Sequence, residues 1–188
     1  KKNVEISKWY NKKALDDAFA GVSLQTLEDE EQIIDAAEAA AQEHDIVLID
    51  VAGVRSRALL YAAGIADLVI VPAQPSEDDI DEAINTIEAV KSAGKLAKRD
   101  IKYRVLLSQT RKGTIVLEHA AKQFEEINNI KIFRTTIGQR EAHKQARFYG
   151  TTVMRTEPKS PAAEDFTNLG KEIDKVLKEE AKLQKQAA

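Results

Sequence analysis

Ile46-Val47-Leu48-Ile49-Asp50 is a continuous apolar run that ends in an acid, and it decides the fold class. The run is too short and too rich in β-branched residues for a helix, so it predicts a strand that is buried on both faces. Residues 67–72 and 103–107 have the same character, and residues 131–133 form a shorter run. Segments with helical periodicity separate these runs, and this alternation is typical of a parallel sheet covered by helices.

We therefore predict an α/β fold with a doubly wound, mostly parallel sheet and helices on both faces, formed by residues 1–188 as a single domain. Only the tail at 184–188 is expected to fray. The other predicted elements are short strands at 22–27 and 152–154 and helices at 29–43, 59–66, 76–94, 114–127, 141–149 and from Ser160 onward. Ser76 and Ser160 are the expected N-caps of their helices.

The composition is that of an ordinary globular protein and excludes several kinds of site. The 188 residues include 28 Lys and Arg against 31 Asp and Glu, a formal net charge of −3, and 43% are hydrophobic. Cysteine is absent, which excludes a disulfide scaffold, a thiol nucleophile and a cysteine-ligated zinc or iron–sulfur centre. Apolar runs fall far short of the roughly 20 residues that span a bilayer, so we expect a soluble, cytoplasmic protein.

Ligands of such sheets bind beyond the carboxyl ends of the strands, which directs attention to Asp50, 72–76 and 108–114. An apolar strand that ends in Asp resembles a Walker B motif, whose carboxylate holds a magnesium ion or its water while the metal bridges nucleotide phosphates. Gly53 would let the following loop bend close to a γ-phosphate. Alternatively, Asp50 only caps the strand or pairs with a cation, and the pattern leaves both possibilities open.

The glycine-rich loop that would cradle the phosphates, G-x-x-x-x-G-K-[ST], does not occur in the sequence. The pair Gly94-Lys95 lacks the upstream glycine and the hydroxyl residue. It follows the apolar stripe of a helix, and this position predicts a helix C-cap instead.

Two stretches resemble a known family. Residues 67–76 read Asp-Leu-Val-Ile-Val-Pro-Ala-Gln-Pro-Ser, and 79–83 follow as Asp-Ile-Asp-Glu-Ala. Residues 140–153 combine Arg, an alanine-containing helix, Gly and an apolar segment, before a Pro-Lys-Ser turn in 158–164. In order and spacing these stretches are similar to the ParA-type ATPases of the ParA/MinD (deviant Walker) group of P-loop NTPases. The resemblance covers roughly residues 45–178.

The resemblance implies roles for particular residues. Asp50 would be the catalytic and metal-binding acid, and Gly53 would lie in the switch that senses the γ-phosphate. Ser108, Gln109 and Thr110, which follow the predicted strand at 103–107, would contact the adenine, and the loop at 137–140 with Arg140 would lie on the other side of the base. The sequence departs from the family at 137–139, where a proline is often found. A simple polar loop is the alternative for 108–110.

The family's P-loop, on the first strand-to-helix turn, has no counterpart in these residues. We expect that an N-terminal strand, the P-loop and a following helix and strand are missing from this sequence, because the run at 46–50 would otherwise have no central strand beside it. The alternative is a degenerate domain that does not bind phosphates and serves as a non-enzymatic interaction domain.

By resemblance, the protein would be a magnesium-dependent ATPase for plasmid or chromosome segregation, with ATP/ADP and Mg²⁺ as cofactors. It would form a homodimer on ATP, bind DNA without sequence preference, and respond to a centromere-binding, ParB-like adaptor. Its place would be the nucleoid in the cytoplasm, and its candidate DNA contacts are Arg140, Lys144, Arg147 and Lys159. A ParA-like ATPase that positions a protein cargo is an alternative. A MinD-like membrane helix is disfavoured because the C-terminal end has too little apolar area.

Overall fold

The computed structural model describes residues 5–12, 19–51 and 56–187, of which Glu5 and residues 180–187 are described by their backbone alone. Within these ranges the strands are β1 (Val69–Ala73) and β2 (Tyr103–Leu107). A 3₁₀ turn at Glu30–Gln32 precedes α2, and a π turn at Gln123–Ile127 follows α5. The helices are α1 (Glu5–Tyr10), α2 (Ile33–Glu43), α3 (Arg57–Ile65), α4 (Glu77–Ala97), α5 (Ile115–Lys122), α6 (Glu141–Phe148), α7 (Val153–Thr156) and α8 (Pro161–Ala187).

The sheet is parallel, as the sequence predicts. β1 and β2 pair in register from Val69 opposite Tyr103 to Ala73 opposite Leu107. Residues 131–133 extend the sheet on the far side of β2, because the Val105 N–H donates to Lys131 O and the Phe133 N–H donates to Val105 O. The order across the sheet is therefore β1, β2 and 131–133.

The main core lies on one face of the sheet. Val71, Ala73, Val105 and Leu107 point to this face and are at most 4% exposed. The apolar stripe of α4, the inner side of α5 and the π turn after α5 cover them, with these buried residues: Ile80, Ala83, Ile87, Ala120 and Phe124. On the opposite face, Arg104 and Leu106 of β2 are half-buried and Pro72 of β1 is exposed, and the charge of Arg104 contributes to lowering the pKa of Glu172 in α8.

A second cluster joins α3 to the C-terminal half of α4. Leu59 and Ala63 pack against Val90 and Ala93. The Arg99 guanidinium donates to the carbonyl oxygens of Gly64 and Ala66, so it satisfies backbone acceptors at the end of α3.

The ends of α4 confirm one prediction and correct another. Ser76 is the N-cap, and its Oγ accepts from the Asp79 N–H. Gly94 does not end the helix, which continues to Ala97 and ends at Lys98 in a left-handed conformation with φ of 53°. Gly94 is instead required for close approach, since a Cβ there would lie 2.8 Å from the Arg99 carbonyl oxygen.

Three predicted strands are wrong. Residues 46–50 form no strand, with Ile46 76% and Leu48 89% exposed. A strand needs neighbours that take its backbone N–H and C=O groups and cover its faces, and the described ranges place no strand beside this segment. Residues 22–27 are irregular for the same reason. Residues 152–154 begin α7, where Val153 is buried against Ala146 and Ala162, so tertiary packing decides this segment.

The C-terminal helix α8 begins as predicted. Ser160 accepts from the Ala163 N–H, and the helix runs from Pro161 to Ala187. The predicted fraying of 184–188 stays a prediction, because Ala188 and the side chains beyond 179 lie outside the description. Among the described residues, no helix combines the length and the apolar character needed to cross a membrane.

Candidate functional site

The loops that follow β2 and residues 131–133 meet at the carboxyl edge of the sheet. The Ser108 N–H donates to Ala73 O at 2.9 Å, which continues the pairing with β1. Thr110 then pairs with the other loop, because its N–H donates to Ile137 O at 3.0 Å and its carbonyl accepts from the Gln139 N–H at 2.9 Å. The structure thus brings together the two segments that the family resemblance assigns to the two sides of a nucleobase.

Thr110 is the buried centre of this junction. The residue is 3% exposed, and its Oγ1 lies 3.2 Å from Thr136 Oγ1 and 3.3 Å from Ile137 O. The hydroxyl therefore has acceptors for its proton at a site where an unpaired polar group would be costly. Gln109, just before it, is exposed and adopts φ of 51°.

The two loops and the start of α8 enclose a cleft of about 290 Å³. Thr110, Arg111 and Lys112 line one side, Thr136 and Gly138–Arg140 line the other, and Pro161 and Asp165 contribute from α8. The cleft is at the small end of ligand pockets and matches part of a ligand, such as a nucleobase. Ser108 and Gln109 lie beside it and are not among its lining residues.

Arg140 is held in this cleft by Asp165. Its Nη2 and Nε lie 2.9 Å and 3.3 Å from Asp165 Oδ2, and the Gly138 N–H donates to the same oxygen at 3.1 Å. Gly138 permits the arrangement, since a Cβ there would lie 2.9 Å from the Arg140 guanidinium. Asp165 was missed in the sequence, where its only signal is an acid between buried apolar residues in the first turns of α8.

A second carboxylate of α8 holds the same segment nearer the sheet. Glu172 accepts from the Arg134 N–H at 2.8 Å and from the Thr135 N–H at 3.0 Å. Burial alone would raise the pKa of Glu172, but these hydrogen bonds, the Thr135 side chain and the nearby charge of Arg104 together lower the pKa below its ordinary value.

The candidate DNA contacts separate into two groups. Arg140 is the N-cap of α6, with extended backbone, and its guanidinium binds Asp165 in the cleft. Arg140 therefore lies apart from the exposed cations of α6. Lys144 and Arg147 do share α6 and are exposed, with Lys144 Nζ 3.2 Å from Glu141. Lys159 is also exposed, and it precedes the part of α8 that packs on α6.

Comparisons with known proteins identify the family of the chain. The family model described as "ATPase MipZ" matches residues 3–152, which is most of the chain. The chain belongs to the MipZ ATPase family. It is thus a ParA/MinD-type ATPase, as the sequence resemblance predicts.

One relative of this MipZ-family chain matches in sequence, and two solved structures match in fold. The sporulation initiation inhibitor protein Soj of Bacillus subtilis is 24% identical over 153 residues, which are 79% of this chain and 59% of Soj. The cell division ATPase MinD of Pyrococcus furiosus superposes with a TM-score of 0.64 at 16% identity, over 79% of this chain and 59% of MinD. Apo McdA of Cyanothece superposes with a TM-score of 0.50 at 22% identity, over 60% and 46% of the two chains. The chain therefore spans little more than half the length of Soj and MinD.

Asp50 is the residue that the resemblance assigns to catalysis and metal binding, so its position in the structure is relevant here. Asp50 is exposed and is not among the residues that line the cleft. Its carboxylate oxygens are hard ligands suited to magnesium, which is commonly held by one or two carboxylates together with waters and substrate phosphates. The described residues contain no group of three acids or histidines that would hold a metal by protein ligands alone. Gly53 lies outside the described residues.

Proposed function

We propose that this MipZ-family protein is an ATP-dependent DNA-partitioning ATPase that dimerises on ATP and binds DNA without sequence preference. The observation that carries the proposal is the cleft at the carboxyl edge of the sheet, where Thr110 and Gly138–Arg140 are joined by backbone hydrogen bonds. Parallel α/β sheets bind ligands at this edge. In the proposal, the cleft takes the adenine base and the single domain 1–188 is the nucleotide-binding domain.

The phosphates would be held elsewhere. The 188 residues contain no G-x-x-x-x-G-K-[ST] loop, so the proposal takes the P-loop and its strand to be supplied by polypeptide outside this sequence. A Mg²⁺ ion held near the phosphates would supply positive charge that neutralises them. Asp50 would contribute a carboxylate to that ion or its water, and Gly53 would let the following loop approach the γ-phosphate.

The adenine part of the proposal can be tested on the 188-residue chain itself. Titration with adenosine should shift the backbone amide NMR signals of Thr110, Gly138 and Gln139, because these residues line the cleft. Signals of Gly64, which is distant in the fold at the end of α3, serve as an internal reference. Shifts absent at the cleft, or equal to those at Gly64, would overturn this assignment.

The ATPase part needs the protein expressed from its whole reading frame. We expect magnesium-dependent phosphate release from ATP, and we expect Asp50→Ala to abolish it while leaving the circular dichroism spectrum unchanged, because Asp50 is exposed. Glu157→Ala, at another exposed acid, is the control. Unchanged turnover in Asp50→Ala would refute the role of this carboxylate, and a start codon immediately before Lys1 would favour the non-enzymatic alternative.

The DNA part depends on exposed cations of α6. Lys144→Ala and Arg147→Ala should each weaken binding to DNA of any sequence and reduce the slope of log K against log salt by about 0.9 per lost phosphate contact. Lys175→Ala is the matched control, since Lys175 and Lys144 have nearly equal exposure, 74% and 73%. If the slope of log K against log salt fell equally in all three variants, the effect would come from net charge alone. That result would reject α6 as the DNA surface.

A further inference from the structure

Two carboxylates of α8 hold one wall of the cleft. Asp165 and Glu172 are seven residues apart, about two helical turns, and so lie on one face of the helix. Both accept backbone N–H groups from the segment 134–138, which leads from the buried Phe133 into the cleft. One helix face therefore contacts the same segment at its beginning and near its end.

Asp165 is the stronger of the two contacts. Its Oδ2 receives the Gly138 N–H and two nitrogens of Arg140, and the side chain is only 11% exposed. Charge-assisted hydrogen bonds of this kind are roughly twice as strong as neutral ones, and low exposure reduces their screening by water. The carboxylate fixes both the backbone of Gly138 and the direction of the Arg140 guanidinium.

The hydrogen bonds of the Arg140 guanidinium affect which nucleobase the cleft would accept. Arg presents a planar fork of donors, and its commonest specific contact is bidentate, to the O6 and N7 acceptors of guanine. Adenine has an amino donor in place of O6 and does not accept that fork. Asp165 accepts from Nε and Nη2, so its carboxylate occupies one of the two edges by which the guanidinium can make a bidentate contact and fixes the direction of the other edge.

We propose that Asp165 and Glu172 are positioning residues that fix segment 134–140 as one wall of the nucleobase cleft, and that Asp165 favours adenine over guanine by occupying Arg140. The proposal rests on the proposed function, because it takes the cleft to bind a nucleobase. Glu172 sets the position of the segment alone, whereas Asp165 sets both its position and its base preference.

Amide hydrogen exchange of the 188-residue chain tests the positioning without any nucleotide. In Asp165→Asn, the Gly138 amide is expected to exchange about 5- to 10-fold faster, because a neutral acceptor replaces a charged one. In Glu172→Gln, the same change is expected at Arg134 and Thr135. Asp174→Asn is the matched control, since Asp174 is 64% exposed on the same helix and bonds Lys178. Unchanged exchange at these amides in both variants would overturn the proposal.

NMR titration with adenosine and with guanosine tests the base preference. Asp165→Asn should lower the ratio of adenosine to guanosine affinity at least about fivefold, because the released Arg140 can pair with guanine. Glu172→Gln should weaken adenosine binding and leave the ratio unchanged, which a general loss of structure would not do. An unchanged ratio in a folded Asp165→Asn would overturn the role in base choice.

Failure of the proposed function gives a different pattern. If the unsubstituted chain binds neither nucleoside while the exchange results are as expected, the nucleobase cleft is rejected and the positioning by α8 is supported. If Asp165→Asn does not fold, Glu172→Gln decides the positioning by the exchange of Arg134 and Thr135 alone.

Discussion

Residues 46–50 and strand β2 are both short apolar runs, but they occupy opposite environments. Leu48 is 89% exposed, whereas Leu107 at the end of β2 is 1% exposed. β2 lies between β1 and residues 131–133, which take its backbone N–H and C=O groups on both sides. Residues 46–50 have no such neighbours in the described part of the chain. The comparison teaches that a buried strand depends on the strands beside it as much as on its own residues.

The largest expected difference between these regions is in their chemical accessibility. The chain has no cysteine, so single-cysteine variants report one position each. Leu48→Cys should react with a maleimide at nearly the rate of a free thiol. Val105→Cys, at a fully buried position of β2, should react at least about a thousandfold more slowly, because labelling there requires unfolding of the core. Equal rates would contradict the described core.

The same experiment can extend the comparison to a longer protein. Where the whole reading frame supplies a strand beside 46–50, labelling of Leu48→Cys should slow towards the rate of Val105→Cys. A rate that stays fast in the longer protein would show that this segment forms no buried strand and would count against Asp50 as a Walker B residue.

The second expected difference is in stability. Leu107→Ala removes a fully packed side chain and should lower the free energy of unfolding by about 2–5 kcal/mol. Leu48→Ala makes the same chemical change at an exposed site, so it should alter stability by no more than about 0.5 kcal/mol. Urea denaturation followed by circular dichroism measures both. A loss of more than about 1 kcal/mol in Leu48→Ala would indicate packing of residues 46–50 that their exposure excludes.

The local sequence patterns predicted an element correctly where its packing and hydrogen-bonding partners lie within the described residues. Capping by Ser76 and the apolar stripe of α4 predicted that helix, and the run at 103–107 predicted β2 with its observed bounds. The end of α4 was not predictable, because Lys98 in a left-handed conformation takes the role usually filled by glycine. The irregular structure of residues 46–50 was not predictable either, because a strand depends on neighbouring strands and the described ranges place none beside this segment.

The candidate site was half predictable for the same reason. The position of Thr110 at a strand end follows from the alternation of strands and helices, whereas Arg140 was implied only by the family resemblance; the structure brings both into one cleft. The partner of Arg140 could not be foreseen, because Asp165 is 25 residues away on another helix and its position depends on tertiary packing.

The third prediction concerns the loops at the strand ends. Unlike the segment that ends at Asp50, these loops are hydrogen-bonded to the strands of the sheet. Thr110→Val should lower the free energy of unfolding by about 1 kcal/mol. The change removes a buried hydroxyl, so Thr136 Oγ1 and the Ile137 carbonyl oxygen lose the hydrogen bond that it donates. Thr156→Val is the matched control at an exposed position, where the change should stay within about 0.5 kcal/mol. Equal effects of the two variants would show that the Thr110 hydroxyl contributes nothing to the junction.

The smallest expected effect lies at Glu172 and appears as a dependence on pH. Folding lowers the pKa of this carboxyl from its ordinary value of 4.5, since the N–H groups of Arg134 and Thr135 and the charge of Arg104 outweigh its burial. The stabilisation is therefore complete above pH 4.5 and is lost as pH falls through the lower, folded-state pKa. Glu172→Gln should lower stability at neutral pH, and its difference from the unsubstituted chain should shrink in acid.

Glu179→Gln is the control for this titration, because Glu179 lies on the same helix, is 56% exposed, and is 3.9 Å from Lys175. Its difference from the unsubstituted chain should be close to zero at every pH, as for most exposed ion pairs. If the difference for Glu172→Gln instead grew as pH fell, the folded state would favour the protonated carboxyl. The contact of α8 with residues 134–135 would then depend on a neutral Glu172, and its observed hydrogen bonds to two backbone N–H groups argue against that.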